Sequence, residues 1–147
     1  MALMDAKPFD EAAAKRRRNL IFIIVFAVLL CAFAVWEMRF LPEERAADRF
    51  FKQIEAQNYE GAYGLWMADP DWKQHPEKYA RYPFNEFVQD WGPGSEYGAI
   101  RSHKIERAED PPMGRGSGVI VEAQINGRPV TAKVWVEKSD KSLSFPP

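Results

Sequence analysis

The chain has 147 residues, with 20 Lys and Arg, 21 Asp and Glu, two His and one Cys, which is the length of a single ordinary domain. One cysteine excludes an internal disulfide framework and a Cys-based zinc site. The net charge of −1 is uneven: residues 1–19 carry five basic and three acidic side chains, whereas residues 43–147 carry 14 basic against 17 acidic. That acidic body excludes the clustered positive surface that nucleic-acid binding requires.

Residues 1–14 read as a disordered tail, with Pro8, Asp10-Glu11 and an alanine run. Residues 11–18 alternatively extend the following helix inward. From Leu20 to Trp36 the chain runs 17 residues, LIFIIVFAVLLCAFAVW, without a charge or a proline. As a helix this covers roughly 26 Å, just under a ~30 Å hydrocarbon core. Arg39 can snorkel to lengthen the span, and Trp36 and Phe40 suit the interfacial belt. The expectation is an uncleaved single-pass anchor in the lipid bilayer. A cleaved signal peptide competes with it, because Ala32-Phe33-Ala34 has the small-x-small cleavage pattern. Against cleavage, apolar residues continue to Trp36 and the charged leader is long and contains acids. Leu30 before Cys31 rules out a lipoprotein signal, and Cys31 reads as a small apolar filler within the span.

Lys15, Arg16, Arg17 and Arg18 abut the span, and the positive-inside rule keeps that end cytoplasmic. The expected organisation is a cytoplasmic basic tail over 1–18, a transmembrane helix over 19–41 and an extracytoplasmic domain over 42–147. The location is a cytoplasmic (inner) membrane, with the domain periplasmic or extracellular.

Pro42-Glu43-Glu44 is a helix start, and Ala47, Phe50, Phe51 and Ile54 fall at i, i+3, i+4 and i+7. Gln57 ends that helix and Asn58 caps a second one carrying Tyr59, Ala62, Tyr63, Leu65 and Trp66. Residues 68–83 are irregular, with Pro70, Pro76 and Pro83 and a helical turn over 77–81. Phe84, Phe87, Val88 and Trp91 predict a short third helix that Gly92-Pro93-Gly94 terminates. Residues 97–108 read as a strand in which Ile100 and Ile105 are out of phase, which suggests a bulge. After a loop over 109–118, alternating Val119, Val121, Ala123 and Ile125, then Asn126-Gly127, then alternating Val130, Ala132, Val134 and Val136 predict a two-residue hairpin. That turn pairs Ile125 with Arg128, Ala123 with Val130, Val121 with Ala132 and Val119 with Val134. Residues 143–145 are a last short strand. Helices first and an antiparallel sheet after them make an α+β domain.

This order, together with Ala46-Ala47-Asp48-Arg49-Phe50-Phe51 and Gln57-Asn58-Tyr59-Glu60-Gly61-Ala62-Tyr63, resembles the nuclear transport factor two-like superfamily of cone-shaped α+β domains over roughly residues 43–145. The resemblance implies helices on a curved sheet and a cone-shaped pocket. Its enzymes place Asp, His or Tyr on the pocket-lining sheet face, whereas the predicted inner face here is Val119, Val121, Ala123, Val130, Ala132 and Val134. The implied function is therefore a fold and a pocket rather than a reaction.

The remaining chemistry is sparse. His75 and His103 lack ligand-spaced neighbours for a metal, and no cofactor motif is present. His103 with Glu106 or a loop Asp is the one acid–base pair available. Asp69, Asp71, Asp90 and Glu86 lack the glycine and twelfth-position Glu of a calcium loop and read as helix stops and solvated acids. Gly114-Arg115-Gly116-Ser117-Gly118 precedes a strand rather than opening a helix, which is the wrong context for a phosphate loop. By contrast, Trp72, Tyr79 and Tyr82 lie in the irregular segment beside Lys73, Lys78 and Arg81, as a lid over the pocket mouth or an interface. Trp135 is placed on the face opposite the core, between Lys133 and Glu137. These four aromatics are the candidate partner-binding residues. The expected function is a non-catalytic, membrane-anchored domain that binds a membrane-protein complex, as an accessory or assembly subunit, or a second copy of itself. A small-ligand or enzymatic cone with an apolar pocket is the alternative.

Overall fold

A computed structural model describes residues 11–114 and 116–147. The tail reading for residues 1–10, and Arg115 of the glycine loop, lie outside the described residues. The chain divides into two compact units, one ending at Arg39 and the other Phe40–Pro147.

The first unit is a single helix, α1 (Glu11–Glu37), 27 residues long and with no buried residue. It begins at Glu11, so residues 11–14 belong to the helix rather than to a disordered tail. The uninterrupted apolar run makes it long and apolar enough to cross a membrane. Near its end the Arg39 guanidinium lies 3.7 Å from the centre of the Trp36 ring, a cation–π contact.

The second unit is α+β. Helices α2 (Leu41–Glu55), α3 (Tyr59–Trp66) and α4 (Phe84–Trp91) precede strands β1 (His103–Glu109), β2 (Gly118–Ile125), β3 (Thr131–Glu137) and β4 (Leu143–Ser144). The four strands form one antiparallel sheet in the order β1-β2-β3-β4. The predicted spacing holds on the helices: Ala47, Phe50, Phe51 and Ile54 of α2 are buried, as are Phe87 and Trp91 of α4. Asn58 caps α3, its side-chain oxygen accepting the Gly61 N–H at 3.1 Å, which satisfies one of the orphan donors of the first turn.

The sheet departs from expectation in two places. The first strand starts at His103, six residues after the predicted start at Tyr97. The Asn126 carboxamide draws the 99–102 segment out of the ladder: it accepts the Arg101 and Ser102 N–H groups at 2.7 and 3.2 Å and donates to the Ala99 carbonyl at 3.0 Å. The expected bulge is present between Ile105 and Arg107. It moves Arg107 from the core face to the outer face, where its Nε and Nη2 donate to Glu122 at 2.9 and 3.0 Å.

The second departure is the hairpin register. Val119 pairs with Val136, Val121 with Val134 and Ala123 with Ala132, two residues away from the predicted pairing. Asn126 and Gly127 do adopt the left-handed turn (φ 54° and 63°), and the Arg128 N–H reaches the Ile125 carbonyl at 3.0 Å. The ladder resumes only at Val130, whose carbonyl accepts the Ile125 N–H at 3.0 Å. Pro129 has a fixed φ and no N–H, which suits the loop better than the ladder. A shift of two residues keeps every side chain on its face, and the outer face chooses between the two registers. It sets Glu122 opposite Lys133, 2.6 Å apart, where the predicted register set it opposite Thr131. Val130, expected on the inner face, is 39% exposed.

Candidate functional site

The space between helices and sheet is where a cone-shaped pocket would lie. It is filled. Phe50 meets Phe51, Trp66, Phe87 and Trp91 at ring-centre distances of 5.2, 5.3, 6.1 and 5.0 Å. Phe50, Phe51, Phe87 and Trp91 are buried against the small residues of the sheet, Val119, Val121, Ala123, Ala132 and Val134. A pocket in a cone needs large residues on one wall only. Here aromatics from α2 and α4 occupy the middle.

Residues 68–83 fold against α3 and α4. Asp69 organises them. Its Oδ1 accepts the Asp71 N–H at 3.0 Å, its Oδ2 accepts the Tyr79 hydroxyl, and His75 Nε2 lies 2.5 Å from the same oxygen. The Tyr79 hydrogen bond, then the His75 one, with a further contribution from the Asp71 amide, pull the Asp69 carboxyl down to about 2, because each is made to the charged form. Trp72 stands edge-on to Tyr63 at 4.7 Å and its Nε1 donates to the Glu60 carbonyl at 3.3 Å. Tyr82 packs on Trp66 and Phe145, donates its hydroxyl to Asp90 at 2.8 Å and offers its carbonyl to the Tyr63 hydroxyl at 2.6 Å. Burial and the neighbouring Asp90 push the Tyr82 hydroxyl above its ordinary range. The three candidate aromatics thus lie half-buried with their rings turned onto the domain, while Lys73, Gln74, Glu77, Lys78 and Arg81 are exposed.

The Asp69 latch has a pH signature. The folded-state carboxyl titrates at about 2 and an unfolded aspartate at about 3.9. Its contribution to stability is present above about pH 4 and lost as pH falls through about 2. Acid unfolding of Asp69→Asn is expected to show a shallower loss of stability between those limits than the parent chain. In Tyr79→Phe, the Asp69 carboxyl, followed by carbon NMR, is expected to titrate nearer its ordinary value. An unmoved midpoint would remove Tyr79 from the latch.

Trp135 lies half-buried on the outer face, as expected, but not as a free-standing ring. The indole covers the backbone of Gly116 and Gly118, and its Nε1 reaches the Glu137 carboxylate at 3.3 Å. His103 also has a different neighbourhood from the one predicted. Its ring lies 5.2 Å from Phe51 in a stacked arrangement, with Nδ1 2.5 Å from Glu55 and Nε2 3.1 Å from Asp48, and its side chain is 5% exposed. Burial raises the Asp48 carboxyl, but hydrogen bonds from Lys52 and His103 outweigh it and leave the group below its ordinary range. Both imidazole nitrogens therefore bind α2, and Glu106 is the exposed bulge residue instead of a partner. Among the described residues no three His, Cys, Asp or Glu side chains converge on a metal-sized site.

The most enclosed concavity is one that sequence reasoning missed. A groove of about 380 Å³ runs beside α2 and α3, floored by Ala46, Gly61, Gly64, Leu65, Ala68 and Leu143. Four charged residues rim it: Arg49, Glu60, Asp140 and Lys141. A second hollow, along Lys52, Gln53 and Asn58, shares Arg49, Gly61 and Leu65 with it. The one signal in the sequence is the spacing of small residues, Gly61, Gly64 and Ala68, on a short helix.

No family model matches the chain, and no curated protein or solved structure matches it.

Proposed function

We propose that this chain is a single-pass membrane protein with a cytoplasmic N-terminus, whose second unit stands outside the cytoplasmic membrane and binds a protein partner as an accessory or assembly subunit of a membrane complex. The observation that carries the reading is α1. It is a 27-residue helix with no buried residue, begun by a basic run at Lys15, Arg16, Arg17 and Arg18 and followed by the Trp36–Arg39 contact. Such a helix needs lipid around its apolar surface, and the basic end favours the cytoplasm. The order of helices and hairpin supports a cone-shaped superfamily relationship within the same reading. A ligand-binding cone would need the space that Phe50, Phe51, Phe87 and Trp91 occupy, so partner binding is the stronger use for this fold. The candidate contact residues remain the outer edges of Trp72, Tyr79, Tyr82 and Trp135.

Extraction of native membranes in mild detergent, followed by affinity capture of the chain and mass spectrometry, tests this function. Stoichiometric recovery with a larger membrane complex is the expected result. Recovery alone, as monomer or dimer, sinks the accessory role. Orientation is tested separately by a C-terminal alkaline phosphatase fusion, which is active only outside the cytoplasm. High activity is expected, with a several-fold loss when Lys15, Arg16, Arg17 and Arg18 are all replaced by Gln. Activity confined to a cytoplasmic reporter would reverse the topology.

A further inference from the structure

We propose that the groove beside α2 and α3 is a binding site for a medium-chain fatty acid, with the carboxylate held by Arg49 and the alkyl chain on the small-residue floor. The argument begins with the charges at the rim. Glu60 is paired with Lys73 at 2.5 Å, Lys141 with Glu43 at 3.0 Å, and Asp140 accepts the Ser142 N–H and hydroxyl at 2.9 and 2.7 Å. Lys52, in the adjoining hollow, is paired with Asp48 at 2.7 Å. Arg49 is exposed and has no hydrogen-bond or ion-pair partner among the described residues. The rim therefore holds one uncommitted charge, and it is a guanidinium, whose planar fork matches a carboxylate in two parallel hydrogen bonds.

The floor supplies the second half of the specificity. Ala46, Gly61, Gly64 and Ala68 project little or nothing, and Leu65 and Leu143 add aliphatic surface. Together they make a slot that accepts an unbranched chain more readily than a ring. A volume of about 380 Å³ lies in the range of small-molecule sites, which are apolar with a few placed polar groups. The site owes nothing to the filled cone interior, and its readout below does not depend on any protein partner.

The test uses the full chain in phosphatidylcholine nanodiscs, with empty nanodiscs as the control for partition into lipid. The probes are hexanoate, hexanol and hexylammonium, and the readout is the amide resonances of Gly61 and Gly64. Hexanoate is expected to shift both saturably, with hexanol at least about tenfold weaker and hexylammonium without effect. Arg49→Gln is expected to weaken hexanoate about tenfold, the loss of one charge-assisted contact, while Arg49→Lys retains most of the affinity. Arg49 is exposed, so the fold should survive, and unmoved Val121 and Val134 resonances check that it does. Equal binding of hexanol and hexanoate, an undiminished Arg49→Gln variant, or no saturable shift with hexanoate would each overturn the proposal.

Discussion

Replacing Phe50 with alanine is expected to destabilise the second unit by about 3–5 kcal/mol, the cost typical of removing a fully buried phenyl ring. The ring is in contact with four others, drawn from α2, α3 and α4. Truncation therefore removes transfer free energy and also leaves a cavity that three different elements would have to close together. Domains of this size have net stabilities of about 5–15 kcal/mol, so the loss approaches the whole margin. Phe50→Leu keeps most of the volume and should cost less, about 1–1.5 kcal/mol. Urea unfolding in nanodiscs, followed by the fluorescence of Trp66 and Trp91, reads both variants, because each indole lies beside Phe50. A Phe50→Ala variant within about 1 kcal/mol of the parent chain would mean that the interior tolerates a void. The cone-pocket reading would then regain its site.

The aromatic interior was legible in the sequence because the helices carry their own signal. Ala47, Phe50, Phe51 and Ile54 fall on one helical face at any position in any fold, and all four are buried. The hairpin was half legible. Alternation has a period of two, so it fixes which face a residue takes but fixes register only to within two residues. The choice fell to the Glu122–Lys133 and Glu122–Arg107 pairs, one of which crosses to a strand that the pattern placed differently. The start of β1 was illegible because its boundary is set by Asn126, a side chain more than twenty residues away in sequence. His103 was misassigned for a related reason. Its partners, Asp48 and Glu55, lie 55 and 48 residues earlier, and no local spacing encodes a contact at that range. The groove left the faintest trace of all, since a concavity is defined by what side chains fail to fill.

Gly118→Ala is expected to destabilise the sheet by about 1–3 kcal/mol, as overpacking does in a close-packed site. A Cβ on Gly118 would sit 2.3 Å from the Trp135 ring and 2.6 Å from the Val136 carbonyl oxygen. The first neighbour is a side chain and can move; the second is backbone in the adjacent strand and cannot move without disturbing the β2–β3 ladder. The two contributions separate in a double-mutant cycle. In a Trp135→Ala background the cost of Gly118→Ala should shrink, with a coupling of about 0.5–3 kcal/mol for residues in contact, yet remain above zero because the carbonyl stays. The same cycle bears on the role of Trp135. An indole seated on a glycine strip contributes to stability even without a partner, and mutating it lowers co-purification by loosening the sheet as well as by removing a contact. A Gly118→Ala cost that is identical with and without Trp135 would mean that the ring does not rest on Gly118 and is free to meet a partner. A reduced cost would assign the ring first to the sheet, and would leave any partner only its outer edge.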